Sequence, residues 1–488
     1  MSQHIKHTAL FIVVNTILVL CTANIARAQA NLTTKTGSLN DGATYLMQVP
    51  NNWNGTLFLY SHGYVVPGSP NPATDVGDPA TGAFLLANGF ALAGSSYATT
   101  GWAIHEALND QIAVLDLFDS TFGHPVATIA WGHSLGGIIT AGLIQRNPKR
   151  FTAAQPMCGV LSGGVATWNT ALDAEFAFQT LLAPNAGLQV VNITNNPDAN
   201  LNLAEEILAA AQATPQGRAR IALGAALSDT PGWFTPTSPE PSPSDFASQE
   251  ANQFLWDQQV DFPFVFAFRA ELEARAGGNV SWNTGVDYRK QLEKSVDRDE
   301  VWALYQTAGL SLEADLDTLN RATRIEANPN AVEYVKRNII FDGRIDIPVL
   351  TMHTKGDGLV VVENESAYKD VVDRVDDNSR LLRQTFVDRA GHCAFTPAET
   401  IAAVETLLQR LETGHWPSIE ANLLNGDAAA LGPDFNIFEV GTTIVPIPPA
   451  FIDFTPAPYL RPFDAFTHPC FFGLGSDCTQ GFSLGETY

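Results

Sequence analysis

Val126-Ala-Thr-Ile-Ala-Trp131 runs directly into Gly132-His133-Ser134-Leu135-Gly136, and a helical pattern then follows from Gly136 to Gln145. A short continuous apolar run bounded by turn residues reads as a buried strand. Glycines at 132 and 136 remove the Cβ atoms that would collide in a tight strand-to-helix turn. Such a turn presents its serine hydroxyl beyond the strand end, with Leu135 N–H and the positive end of the next helix aimed at the same point. The five-residue pattern alone arises by chance in a chain with 38 glycines. Its weight depends on what the rest of the chain supplies.

Upstream, Thr56-Leu-Phe-Leu-Tyr-Ser61 predicts a strand, followed by His62-Gly63-Tyr64 and a Pro- and Gly-rich loop through Pro79. Phe84–Asn88 reads as a helical turn, Phe90–Gly94 as a strand and Ile104–Phe118 as an amphipathic helix. Downstream, Pro148 ends the helix and Phe151–Met157 predicts a strand. The pattern resumes at Ile347-Pro-Val-Leu-Thr-Met-His353, then at Leu381–Val387, with a closing helix over Pro397–Glu412. Strands alternating with helices predict an α/β fold with a mainly parallel sheet. The stretch between reads as mostly helical, over Asn202–Ala211, Pro263–Ala276 and Asp297–Ala308, and is broken by the prolines of Thr230–Ser244. The expected organisation is a signal peptide at 1–30, a catalytic core at 31–160 and 341–413, a helical cap insertion at 161–340 and a C-terminal extension at 414–488. That extension is rich in Pro and Phe and reads equally as a wrap, a lid element or a loose tail.

A serine hydroxyl needs a base, and the base needs an orienting carboxylate. His392 lies in Arg389-Ala-Gly-His-Cys-Ala-Phe-Thr-Pro397, between a strand and the last helix, and Asp357 lies in Thr354-Lys-Gly-Asp-Gly-Leu359, just past the strand ending at His353. On these three motifs, in the order Ser, Asp, His, the sequence resembles the α/β-hydrolase superfamily over about residues 40–160 and 340–413. The resemblance implies Ser134 as nucleophile, His392 as general base and then acid, and Asp357 as the carboxylate that fixes the imidazole. It implies also that His62-Gly63-Tyr64 is an oxyanion loop, in which a Gly63 or Tyr64 N–H joins that of Leu135; the plainer reading is a turn. It further implies that the insertion caps the site. Among competing residues, Asp342 and Asp346 precede the strand and Glu363 starts the next helix. His133 and His353 read as elbow and packing residues, and His105, His124, His415 and His468 as surface or capping residues.

The 27 Lys and Arg stand against 51 Asp and Glu, a net charge of −24 that argues against nucleic acid as a partner. Residues 1–30 carry Lys6, an apolar run from Leu10 to Leu20 and two small-x-small sites at Ala26-Arg27-Ala28 and Ala28-Gln29-Ala30. That run is shorter than the roughly 20 residues a membrane-spanning helix needs, so a cleaved leader is expected, with secretion and no stable membrane insertion. The product is extracellular, or periplasmic in a two-membrane bacterium. Cleavage removes Cys21 and leaves four cysteines in a disulfide-permissive compartment. Cys470 and Cys478 enclose a short loop and are expected to pair, which leaves Cys158 for Cys393. A cysteine beside the histidine resembles in part the tannase and feruloyl-esterase group, whose second cysteine precedes the serine where this chain has His133.

No Cys or His spacing suits a metal, and no cofactor is implied. Trp168, Trp233, Trp256, Trp282 and Trp302 of the insertion suffice to line an apolar pocket or to build the insertion's own core, and Trp102 is a weaker substrate contact from the other side. The expectation is a secreted serine hydrolase of small-molecule or polymeric carboxylic esters working through an acyl-enzyme. A peptidase of the prolyl or tripeptidyl aminopeptidase type and a catalytically silent binding module are the alternatives. The oligomeric state is left open.

Overall fold

The computed structural model describes residues 32–468 apart from 195, 376, 377, 441 and 465. The expected leader and the Cys470–Cys478 pair lie outside the described residues. The central sheet is built from β1 (Leu32–Ser38), β2 (Thr44–Pro50), β3 (Thr56–Ser61), β4 (Ala91–Ser95), β5 (Ala127–His133), β6 (Ala153–Met157), β7 (Val349–Gly356) and β8 (Leu382–Ala390). Beyond a separate hairpin of β9 (Ile437–Val440) and β10 (Thr443–Pro446), β11 (Phe451–Ile452) completes it. The order is β1-β2-β4-β3-β5-β6-β7-β8-β11, parallel from β4 through β8 and antiparallel at both edges. This is an α/β-hydrolase sheet, as expected.

Strand periodicity places alternate side chains on opposite faces. Leu57, Leu59 and Ala130 pack with α2 (Ile104–Phe122) and α3 (Leu135–Arg146), whereas Phe58, Tyr60, Ile129 and Trp131 pack with residues of α5 (Pro397–Thr413). Covered on both faces, these strands read as continuous apolar runs. α1 (Pro79–Ala87) begins five residues before the expected turn, because Asp78 accepts from Thr81 N at 2.8 Å and Pro79 sits in the first turn. α4 (Glu363–Asp373) follows β7. α5 begins where expected, its N-terminus fixed by the reciprocal hydrogen bonds of Thr396 and Glu399.

Between β6 and β7 the chain is helical from Gly164–Leu182 through Pro329–Arg337, with two π-helical turns at Asp257–Asp261 and Phe264–Phe268. Clusters around Phe176, Leu223 and Tyr288, and around Leu172, Phe262 and Phe266, form its own cores. Trp168, Trp233, Trp256 and Trp282 are buried and Trp302 is exposed. No helix among the described residues is long and apolar enough to cross a membrane.

The chain after 413 continues as the helix Ala421–Ala430 and the hairpin, and β11 then pairs with β8 through Phe451 and Val387. It next crosses to the insertion, where buried Arg461 donates to Asp173 Oδ2, Asn169 O and Trp282 O, each at 3.0 Å. The described part of the extension is therefore a strap joining sheet to insertion. Burial acts to keep Asp173 protonated and Arg461 opposes it. Removing one partner of a buried ion pair strands the other charge. Arg461→Leu is expected to cost about 3 kcal/mol, seen as a lower urea midpoint at unchanged m-value. An unchanged midpoint would show that this pair does not fasten the strap.

Candidate active site

Strand register brings the site together. Ser61 lies opposite Gly132, His133 opposite Met157, Met157 opposite Met352 and Gly356 opposite Ala390. The residues after each strand, His62-Gly63, Ser134, Cys158, Asp357 and His392, thus all emerge at the carboxyl edge of the parallel sheet. That edge, near the β3/β5 reversal of strand order, is where such sheets bind ligands.

Ser134 has φ +58°, a left-handed conformation that is strained for a residue with a Cβ. It is held there by Ser134 N donating to Met157 O at 3.0 Å and Gly137 N donating to Ser134 O at 2.8 Å. A Cβ on Gly136 would run into the Ser61 carbonyl, and one on Gly137 would stand 2.5 Å from Gly159 Cα. This close approach seats the His62 loop against the elbow: a Cβ on Gly63 would lie 3.4 Å from Ser134 Cβ and 3.8 Å from its Oγ. The Leu135 N–H is in the first turn of α3, where a donor has no intrahelical acceptor. Tyr64 reaches further, its ring 5.0 Å from Phe264 and 6.0 Å from Phe268.

His392 Nδ1 lies 2.8 Å from Asp357 Oδ2 and 3.0 Å from Oδ1. Asp357 is buried and also accepts from Val360 N at 3.0 Å. Burial alone would raise its pKa, but His392 and His353 outweigh it and hold the carboxyl below its ordinary range. The histidine loop is tied down by Gly391 N donating to Gly356 O at 2.9 Å and Thr354 Oγ1 donating to Gly391 O at 2.6 Å. Cys393 is disulfide-bonded to Cys158, as expected, across 235 residues of sequence. Both cysteines have positive φ, so two strained loops are riveted to each other beside Ser134. His392 Nε2 lies 3.4 Å from Cys393 Sγ, and no hydrogen bond joins it to Ser134 Oγ in this structure. Such bonds commonly close only around a bound substrate.

The competing residues fall elsewhere. His133 faces Tyr60 Oη at 3.2 Å, and burial together with His392 pushes its pKa down to about 4, so it is a neutral packing residue. Glu363 opens α4, and neither Asp342 nor Asp346 contacts His392. His105, His124 and His415 are exposed. His468 corrects the surface reading: the strap carries it inside, its ring 4.4 Å from that of Phe463.

A cavity opens onto Ser134 and Leu135, walled by Tyr64, Trp102, Trp168, Phe178, Phe262 and Phe264. Trp102 thus does line the cleft, edge-on to Trp168 at 5.5 Å. Sequence reasoning missed Asp257 and Asp261, which share this wall and whose side chains make no hydrogen bond or ion pair. Burial pushes Asp257 up to about 8, with Glu250 adding to it, and Asp261 well above its ordinary value. Their four-residue spacing within an aromatic stretch was the available signal. Arg220 also borders the cavity, its guanidinium engaged by Asp315 at 2.8 and 3.2 Å.

A strained serine between a parallel strand and a helix, at the same sheet edge as a histidine–carboxylate pair from later strand ends, is the arrangement of an α/β-hydrolase, and the protein is a hydrolase of this class. The chain is 32% identical over 434 residues to the o-phthalyl amidase of Xanthobacter agilis, a match spanning 82% of this chain and 91% of that protein. It belongs to the family of that amidase. Solved structures similar to it include an esterase from Aspergillus oryzae, at 14% identity and TM-score 0.42 over 79% of this chain and 80% of that one. They include also the cell-wall-degrading esterase LipA of Xanthomonas oryzae, at 13% and 0.36 over 78% and 90%. No protein-family model matches the chain.

Proposed function

We propose that the protein is an exported serine hydrolase that cleaves esters or amides of aromatic carboxylic acids through an acyl-enzyme. The observation that carries this reading is the hydrogen-bonded pair of buried Asp357 and partly exposed His392 at the same sheet edge as Ser134, where an aromatic-walled cavity opens. Ser134 Oγ attacks the carbonyl carbon as His392 Nε2 takes its proton. The Leu135 N–H and an N–H of Gly63 or Tyr64 hold the oxyanion; losing such a donor typically costs about 3 to 4 kcal/mol. His392 then protonates the leaving alcohol or amine, and water repeats the sequence to release the acid. Asp357 fixes the ring so that Nε2 is the accepting nitrogen. Amides stand beside esters because the Xanthobacter relative is named an amidase. The disulfide supports export.

A second reading, an aminopeptidase, is favoured by Asp257 and Asp261, buried carboxyl groups on the cavity wall that a bound ammonium group would ionise. Assays of p-nitrophenyl benzoate, benzoyl and 2-carboxybenzoyl anilides and aminoacyl p-nitroanilides separate the two. Turnover of the aromatic esters or anilides is expected, with fluorophosphonate labelling of Ser134. Turnover confined to aminoacyl anilides would shift the assignment to the peptidase. Folded protein that resists labelling would mean a silent binding module.

A further inference from the structure

His353, four residues before Asp357, reads from sequence as a packing residue, and its surroundings say more. Its side chain is fully buried in β7. Nδ1 lies 3.1 Å from Glu365 Oε1, and Nε2 lies 2.7 Å from Val360 O and 3.5 Å from Asp357 Oδ2. Glu365 is buried too, and its Oε2 accepts from Thr351 Oγ1 at 2.5 Å and Gln384 Nε2 at 2.6 Å. Both nitrogens of the His353 ring therefore face only acceptors. A neutral imidazole has one N–H and one lone pair. With Glu365 held as a carboxylate by the Thr351 and Gln384 donors on its other oxygen, either neutral tautomer would press that lone pair against a carbonyl or carboxylate oxygen where water does not reach, and such buried mismatches are costly. The doubly protonated ring satisfies both sides.

We propose that His353 is a standing imidazolium, with Glu365 as its counter-anion, that keeps Asp357 ionised and so acts as a positioning residue for the Asp357–His392 pair. The proposal rests on the triad assignment made above. A carboxylate sealed from water tends to take up a proton. In the resting state a neutral His392 offers Asp357 only its Nδ1–H, and the Val360 N–H supplies one more bond. A cation 3.5 Å away covers that interval. Glu365 in turn limits how much positive charge reaches His392, which must itself become cationic when Ser134 attacks. The directions of the shifts agree. Burial alone would lower the His353 pKa, but Asp357 and Glu365 push it up to about 10. The ionisable groups around the ring are Asp357 at the end of β7, Glu365 and Glu363 of α4 and, behind Glu363, Asp229 and Asp297 of the insertion. From β8 the neighbour is the neutral Gln384.

The direct test is NMR of the full-length protein labelled with 15N-histidine, with His353 assigned from the spectrum of His353→Gln. Protons on both ring nitrogens of His353 are expected throughout pH 5.5 to 8.5. A singly protonated His353 at pH 7 overturns the proposal whether or not the enzyme turns over any ester. The kinetic test uses the double variant His353→Gln/Glu365→Gln, which removes the cation and leaves no buried charge unpaired. It is checked for folding by thermal unfolding and for an intact site by fluorophosphonate labelling. Without the cation, Asp357 protonates more readily and His392 holds its proton more tightly. Both effects move the acid limb of the kcat/KM profile to higher pH, by about one unit. A merely structural role lowers kcat at every pH and leaves that limb in place, and this result would equally overturn the proposal. Wild-type protein that is folded but not labelled at Ser134 would instead refute the triad assignment.

Discussion

Ser134→Ala is expected to lower kcat on every cleaved ester or amide by on the order of a million-fold, with little change in KM. The substitution removes the attacking oxygen and almost nothing else. Ser134 contributes its backbone to the elbow, and alanine takes the same left-handed conformation at a strain similar to serine's. The Met157 and Gly137 bonds to the backbone at 134 remain. The aromatic cavity wall is unchanged, so on the proposed mechanism binding should persist while the acyl-enzyme is lost. What survives is the effect of the oxyanion donors on direct attack by water, typically about a thousand- to ten-thousand-fold over solution. The measurement is kcat and KM on a p-nitrophenyl ester beside fluorophosphonate labelling. A variant that keeps more than a hundredth of the wild-type kcat would point to a different nucleophile.

Asp357→Asn is expected to lower kcat by about ten-thousand-fold near neutral pH. The mechanism is a tautomer error. In the proposed mechanism a carboxylate at 357, 2.8 Å from His392 Nδ1, draws the imidazole proton to that nitrogen and leaves Nε2 to accept from the serine. An amide can turn its N–H toward Nδ1, which places the imidazole proton on Nε2, where it can no longer accept. The same residue links pH to stability. Its folded pKa lies below the ordinary carboxylate value, so its contribution is fully present above that value and fades as the pH falls through the folded one. Wild-type protein should therefore lose stability in acid more steeply than the asparagine variant. Equal acid sensitivity of the two would count against an ionised, partnered Asp357.

The elbow, the histidine loop and the aspartate loop were legible because their chemistry restricts residue type. Glycines at 132 and 136 are demanded by the Ser61 carbonyl packed against the turn, and the Ser, Asp, His order follows from the strand sequence. The Cys158–Cys393 bridge was reached by elimination, and strand register explains it, since the β6 and β8 ends flank β7. β1 escaped notice because an edge strand exposed at nearly every position has no apolar face to announce it. The role of His353 was hidden for a different reason. A buried histidine acquires meaning only from what β8 and the first turn of α4 place around it, and neither adjacency is written in local spacing. Asp257 and Asp261 were missed because their four-residue spacing puts both on one helical face without saying that this π-helical turn lines a cavity. The strap was unreadable for want of periodicity, yet it decides the fates of Arg461 and His468.

The bridge between Cys158 and Cys393 has a topological consequence. Every residue of the helical insertion lies between its two ends, including the exposed proline-rich segment around residues 237–245, the kind of surface loop that proteases nick first. A cut there opens the chain without dividing the molecule. The half bearing Ser134 stays covalently attached to the half bearing Asp357 and His392, so a nicked molecule keeps all three residues on one particle, and only a reductant breaks that link.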